Sequence, residues 1–171
     1  MGDDFIRHTF PKLAVAAVVG ATAIPWGLPD NAVFALPLAA MMLVFLFSCL
    51  RGSELHPGFV FLTGLLTDIL TAGPLGFWAL VFLIAFRFGR GVAPFAPGLG
   101  TLGLWLAFAL AAPVIAAIGW SVASLYFLRL LDPYPMGVGL AVVVMLFPFA
   151  ASAVDYLTRV ARPGSSLTFR G

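Results

Sequence analysis

Residues 63–80 read TGLLTDILTAGPLGFWAL. All but a few of these side chains suit a hydrocarbon solvent, and Asp68 is the one formal charge among them. The nearest Lys or Arg residues in the chain are Arg51 and Arg87. Gly73-Pro74 divides the stretch into two apolar segments, as a turn between helices does. What surrounds the carboxylate, and what it bonds to, depends on the solvent in which this chain folds.

The composition answers for the solvent. Of 171 residues, 62% are apolar and only 9% charged, and the mean hydropathy is +1.09. Soluble domains carry roughly 25% charged residues, so this chain has too few to coat a globule in water. The expectation is a single integral membrane domain over residues 1–171, an all-α polytopic bundle. A formal charge of +2, spread thinly, does not point to nucleic acid and matters as a topology signal. Cys49 is the only cysteine, which excludes an intrachain disulfide or a cysteine cluster for metal.

Apolar runs broken by charge, Pro or Gly predict six helices, roughly Phe10–Trp26, Ala32–Leu50, Pro57–Ala72, Leu75–Phe88, Leu102–Leu128 and Met136–Leu157. Arg7, Lys12 and Ala21-Thr22-Ala23 imitate a signal peptide, but Asp3 and Asp4 oppose that, so the first run is read as a span. The second, fifth and sixth runs approach or exceed the ~20 residues that cross a bilayer. The fifth must tilt, project, or kink at Pro113. The third and fourth are short, either two compact spans or one re-entrant hairpin. With six spans and the N-terminus inside, Arg7, Lys12, Arg51, Arg87, Arg90, Arg159, Arg162 and Arg170 all face the cytoplasm, against Arg129 alone outside. Both termini are therefore expected to be cytoplasmic.

Signatures of catalysis are missing: the sequence has no GxxxxGK[ST], HExxH or CxxC, and no enzyme is expected. Gly98, Gly100 and Gly103 spell GxGxxG, but no strand precedes them and no acid follows at the right distance, so close helix approach is expected instead. His8 and His56 form no ligand pair, and neither metal nor cofactor is expected. Trp26 and Trp120 fall near outer helix ends, as interfacial anchors do, while Trp78 and Trp105 are harder to place. Asp155 and Arg159 suit an i,i+4 ion pair. Ala16, Ala17, Gly20 and Ala21 give the first helix two small-xxx-small steps, expected to serve a contact inside the bundle before one with a partner.

At about 100° per residue, Thr67 lies about 40° from Thr63, Thr71 about 80°, Gly64 about 100° and Asp68 about 140°. His56 falls on the same arc, and the rest of the helix is leucine, isoleucine and phenylalanine. The third helix should turn the polar arc to protein and the other to lipid. A charged Asp at the bilayer centre costs about 2.5–3.5 kcal/mol on insertion scales and calls for a partner. No cation shares the arc; the nearest donors are the free N–H groups just past Pro74, where the fourth helix begins. Asp68 is therefore expected to clasp the turn, with a proton or ion site as the alternative.

The pattern Gly64-x3-Asp68-x5-Pro74-Leu75-Gly76, preceded by Pro57 and followed by an apolar helix, resembles the MreD family of bacterial rod shape-determining membrane proteins. The specific likeness is confined to about residues 51 to 88, while length and span layout agree over the rest. The resemblance implies a non-catalytic part of the cell-elongation machinery in the bacterial inner membrane. Its partners would be MreC and, directly or through it, RodA with its transpeptidase, MreB and membrane lipids. The fold would be similar to the substrate-binding membrane subunits of energy-coupling-factor transporters. Gly64, Asp68, Pro74 and Gly76 would carry the family's character, with no chemical role attached. Thr63, Thr67 and Thr71 beside Asp68 depart from it and keep a second reading open, a solute-binding or transport subunit. That reading needs these residues to converge with Ser121, Ser124 and Ser152 on one pocket.

Overall fold

The computed structural model describes residues 9–24, 34–50 and 55–160, with side chains up to residue 156. Six helices and no strand occur among them: α1 (Phe10–Ala21), α2 (Ala35–Cys49), α3 (Pro57–Leu70), α4 (Phe77–Val92), α5 (Ala96–Tyr126) and α6 (Tyr134–Val160). The expected order is present; α1, α2 and α3 are shorter than the expected runs, and α4, α5 and α6 are longer. Proline helps set the starts: Pro11, Pro57, Pro97 and Pro135 occupy the first or second position of α1, α3, α5 and α6. A missing N–H costs nothing there, because no intrahelical acceptor exists for it. Only α4 has neither proline in its opening turn nor a local side-chain cap.

Helix α2 is apolar all round and buried on nearly every side, from Pro37 to Cys49, as a central helix must be. It packs against α1, α4 and α6. The rings of Phe45, Phe108 and Phe147, from α2, α5 and α6, form one fully buried cluster, with Phe108 stacked on Phe147 at 4.7 Å.

The exterior is apolar as well. On α5 the exposed side repeats Leu102, Leu106, Leu110, Val114, Ile118 and Val122 at every fourth residue, and on α3 it presents Leu62, Leu66 and Ile69. Apolar surface of this extent marks contact with lipid or with another protein. Two helices, α5 and α6, are long and apolar enough to cross a membrane. The others fall below the length expected of six full spans: α3 and α4, with 14 and 16 residues, reach about 21 and 24 Å. In α5 the backbone leaves helical geometry at Gly100, with φ at +61° and ahead of the expected run, while Pro113 keeps helical backbone angles.

The bundle has two distinct ends. Phe34 before α2, the α3–α4 turn, the end of α5 and the start of α6 meet at one. At the other, Phe10 packs edge-on against Phe47 and Gly89 lies against Phe45 and Ser48. Among the described cations, Lys12, Arg87 and Arg90 belong to that second end, and Arg129 alone to the first. Arg7, Arg51, Arg162, Arg170, His8, Trp26 and the Arg159 side chain fall outside the described residues, so the full charge count and the Asp155–Arg159 pair do as well.

Candidate functional site

Asp68 is fully buried, and its carboxylate accepts two backbone hydrogen bonds, from Gly76 N–H at 2.8 Å and Trp78 N–H at 2.7 Å. The N–H of Phe77, between them, donates to Pro74 O at 3.1 Å. The carboxylate thus caps α4 from eight and ten residues upstream and meets the positive end of its dipole. These are the donors expected from the sequence. The peptide carbonyl of Asp68 holds the same turn, accepting from Gly73 N–H at 3.0 Å while Ala72 takes a left-handed φ of +49°. That is a Schellman ending for α3.

The two glycines of the motif serve this junction in different ways. A Cβ on Gly64 would lie 2.3 Å from Ala79 Cα and 2.6 Å from Ala79 N, so here α3 and α4 touch backbone to backbone. Gly76, at the cap of α4, has a φ of +93°, which a residue with a Cβ adopts only under strain. Gly64 and Asp68, one turn apart, therefore address the same first turn of α4: one lets it come close, the other ties it down. Pro74 is half-buried in the turn between them.

The threonines form a ladder along α3. Thr63 donates to Val60 O at 2.9 Å, Thr67 to Thr63 O at 2.8 Å and Thr71 to Thr67 O at 2.8 Å. Each hydroxyl is turned onto its own helix, the usual way to hide an O–H from an apolar environment. Ser121 and Ser152 do the same, with Ala117 O and Pro148 O, on exposed faces of α5 and α6. Ser124 is buried and accepts from Leu131 N–H at 3.4 Å. The hydroxyls do not converge on one pocket. Among the described residues no three His, Cys, Asp or Glu side chains come together.

On α1 the buried face is Val15 and Val19; Ala16, Ala17 and Gly20 are exposed and Ala21 half-buried. A Cβ on Gly20 would meet nothing within 4 Å. Ala16, Ala17 and Gly20 do not take the inward side expected of them, because the larger valines one position away occupy it. Gly98 and Gly100 likewise face open space and the atoms nearest a Cβ on Gly103 belong to Leu99 of its own helix, so no close helix approach is seen at GxGxxG; Gly100 instead supplies the break in α5.

A cavity of about 600 Å³ lies at the α3–α4 turn end. Phe34, Phe77, Trp78, Trp120 and Phe127 form much of its wall, with Arg129 and Asp132 among the polar residues that line it. Trp120, expected as an interfacial anchor, is half-buried and donates from Nε1 to Leu131 O at 2.9 Å, pinning the α5–α6 loop. Asp132 Oδ1 accepts from Tyr134 N–H at 2.9 Å, at the start of α6. The Arg129 guanidinium lies 5.9 Å from the Phe127 ring. The one sequence signal for this site was Arg129, the exception in the charge distribution.

Comparison with protein-family models, with curated proteins and with solved structures finds no match.

Proposed function

We propose that the chain is a multi-pass protein of the bacterial inner membrane, with both termini cytoplasmic, that acts as a non-catalytic scaffold of the MreD kind. In this reading it binds MreC and links it to peptidoglycan synthases of the cell-elongation machinery. The apolar exterior of α3 and α5 is its lipid-facing side. The observation that carries the reading is the fate of the motif. Gly64, Asp68, Pro74 and Gly76 all build the α3–α4 junction, and the neighbouring hydroxyls are bonded within their own helices. A transport subunit needs polar groups left over to grip a solute; a scaffold needs a rigid frame and open helix faces. The face of Ala17 and Gly20 on α1 is such a surface, smooth enough for a partner helix.

The test is co-expression with the single-span MreC of the same host, followed by native mass spectrometry in mild detergent. A complex that survives purification, and is lost in Ala17→Phe with the chain still monodisperse, is the expected result. A monodisperse chain that never holds MreC sinks the scaffold reading. The cavity favours a solute-binding subunit as the second reading, for which a bound small molecule of defined mass would be decisive.

A further inference from the structure

The cavity at the α3–α4 turn end does not close on itself. Trp120 and Met136 also line a shallower depression of about 350 Å³ that continues sideways between α5 and α6. Its remaining wall is Ala116, Ala117, Pro133, Gly137 and Leu140, small or apolar at every position. The chamber at the helix ends and the lateral slot on the apolar flank of the bundle thus adjoin at Trp120 and Met136. Volumes of roughly 300–1,000 Å³ accept small ligands.

Charge is uneven in it. Arg129 is the one described cation at this end, and its described contact is the Phe127 ring. The carboxylate that shares the cavity, Asp132, is already held by Tyr134 N–H. Thr71, the hydroxyl in the lining, donates to its own helix. A compact polar solute would find one cation and few other partners. A molecule with an anionic end and a long apolar end would match every part: guanidinium for the anion, aromatic walls, then the slot.

We propose that the cavity and its side slot bind one phosphate-headed lipid, with the phosphate at Arg129 and a hydrocarbon chain between α5 and α6. This rests on the membrane reading above and extends it with a ligand. The lipid would lie against the outside of the α3–α4 turn, at Pro74 and Trp78, and away from the exposed face of α1.

The test uses the full chain in a neutral detergent, with native mass spectrometry as readout. The probes are phosphatidylglycerol, phosphatidylcholine of the same chains, and glycerol phosphate as a head without a tail. Phosphatidylglycerol is expected to be retained at about tenfold lower concentration than phosphatidylcholine, whose choline cation offsets the charge of the same phosphate beside Arg129. Arg129→Gln should erase that preference. Gly137→Leu, at an exposed position where a Cβ meets nothing within 4 Å, should weaken both lipids alike, and Ala117→Leu serves if the first variant does not fold. Glycerol phosphate should not compete. Lipid carried from the host membrane identifies the source: a diacyl mass means a bulk phospholipid, any other phosphate-headed mass a dedicated one, and both support the site. Unchanged retention in Arg129→Gln, in both slot variants, or full displacement by glycerol phosphate overturns it. A chain that stays in solution without detergent overturns the membrane reading as well; a detergent-dependent chain that holds no lipid overturns this inference alone.

Discussion

The helix pairs α3–α4 and α5–α6 are both apolar hairpins, yet they are joined by opposite means. Between α3 and α4 the main chains touch at Gly64 and Ala79, and a buried carboxylate holds two N–H groups at the start of the next helix, those of Gly76 and Trp78. Between α5 and α6 the contact is made through rings and long side chains, and the pair opens at one end into a chamber. Hydrophobicity does not distinguish them. In an apolar solvent it supplies no force between helices, and packing and hydrogen bonding decide how near they come. The short pair has a glycine where backbones cross and an acceptor that reaches from one helix to the free donors of the next; in the long pair Asp132 accepts only from Tyr134 N–H two residues on, and a space results.

The sharpest way to break the contrast is Gly64→Val. Its Cβ has no room against the Ala79 main chain, and neither backbone can move without breaking the Asp68 clasp. Overpacking of a tight core costs about 1–3 kcal/mol and occasionally more; here the obstacle is main chain, so the upper end or beyond is expected. The chain should lose its monodisperse peak in detergent. Gly137→Val, on the open pair, should change the melting temperature little, because that position faces free space. Equal behaviour of the two variants would mean that α3 and α4 are not in backbone contact.

Asp68 gives the next largest effect and separates charge from hydrogen bonding. Asp68→Leu leaves the N–H groups of Gly76 and Trp78 without their acceptor, at about 1–3 kcal/mol for each buried group. Asp68→Asn keeps one acceptor oxygen and should cost about half as much. Thermal unfolding in detergent ranks them: wild type, then Asn, then Leu. If both variants fold and hold partners as wild type does, yet both abolish function in the host, the carboxylate serves proton chemistry.

Much of this junction could be read before any coordinates. Six apolar runs, a Gly-Pro turn, a polar arc holding Gly64 and Asp68, and free donors beyond Pro74 are all local consequences of helix geometry. Helix order is legible for the same reason. What was not legible depends on which face of a helix turns inward when several are apolar. Small residues at Ala17 and Gly20 look alike whether they pack or lie open, and the choice falls to Val15 and Val19 beside them. Gly89, whose Cβ would lie 2.7 Å from Phe45 O, is a second close approach, but its neighbours Arg87 and Arg90 mark a helix end and say nothing of a crossing. The cavity is a property of helix ends that fail to meet, and no single segment encodes it.

The smallest predicted effect concerns the one directional bond between α5 and α6. Pro148, inside α6, has no N–H to give the carbonyl four residues earlier, Val144. The indole of Trp105 supplies that bond instead, Nε1 to Val144 O at 2.9 Å. Trp105→Phe keeps most of the ring but leaves the carbonyl without its donor. Hydrogen bonds between helices in membranes average about 0.6 kcal/mol, with a maximum near 1.7, so a loss of about 1 kcal/mol is expected. In a Pro148→Ala background the restored N–H reaches Val144, and Trp105→Phe should then cost less than half as much. Strict additivity in that double-mutant cycle would show that the two residues do not share the carbonyl. The indole bond would then hold α5 to α6 independently of the proline, and the gap left by Pro148 would not be what calls for it.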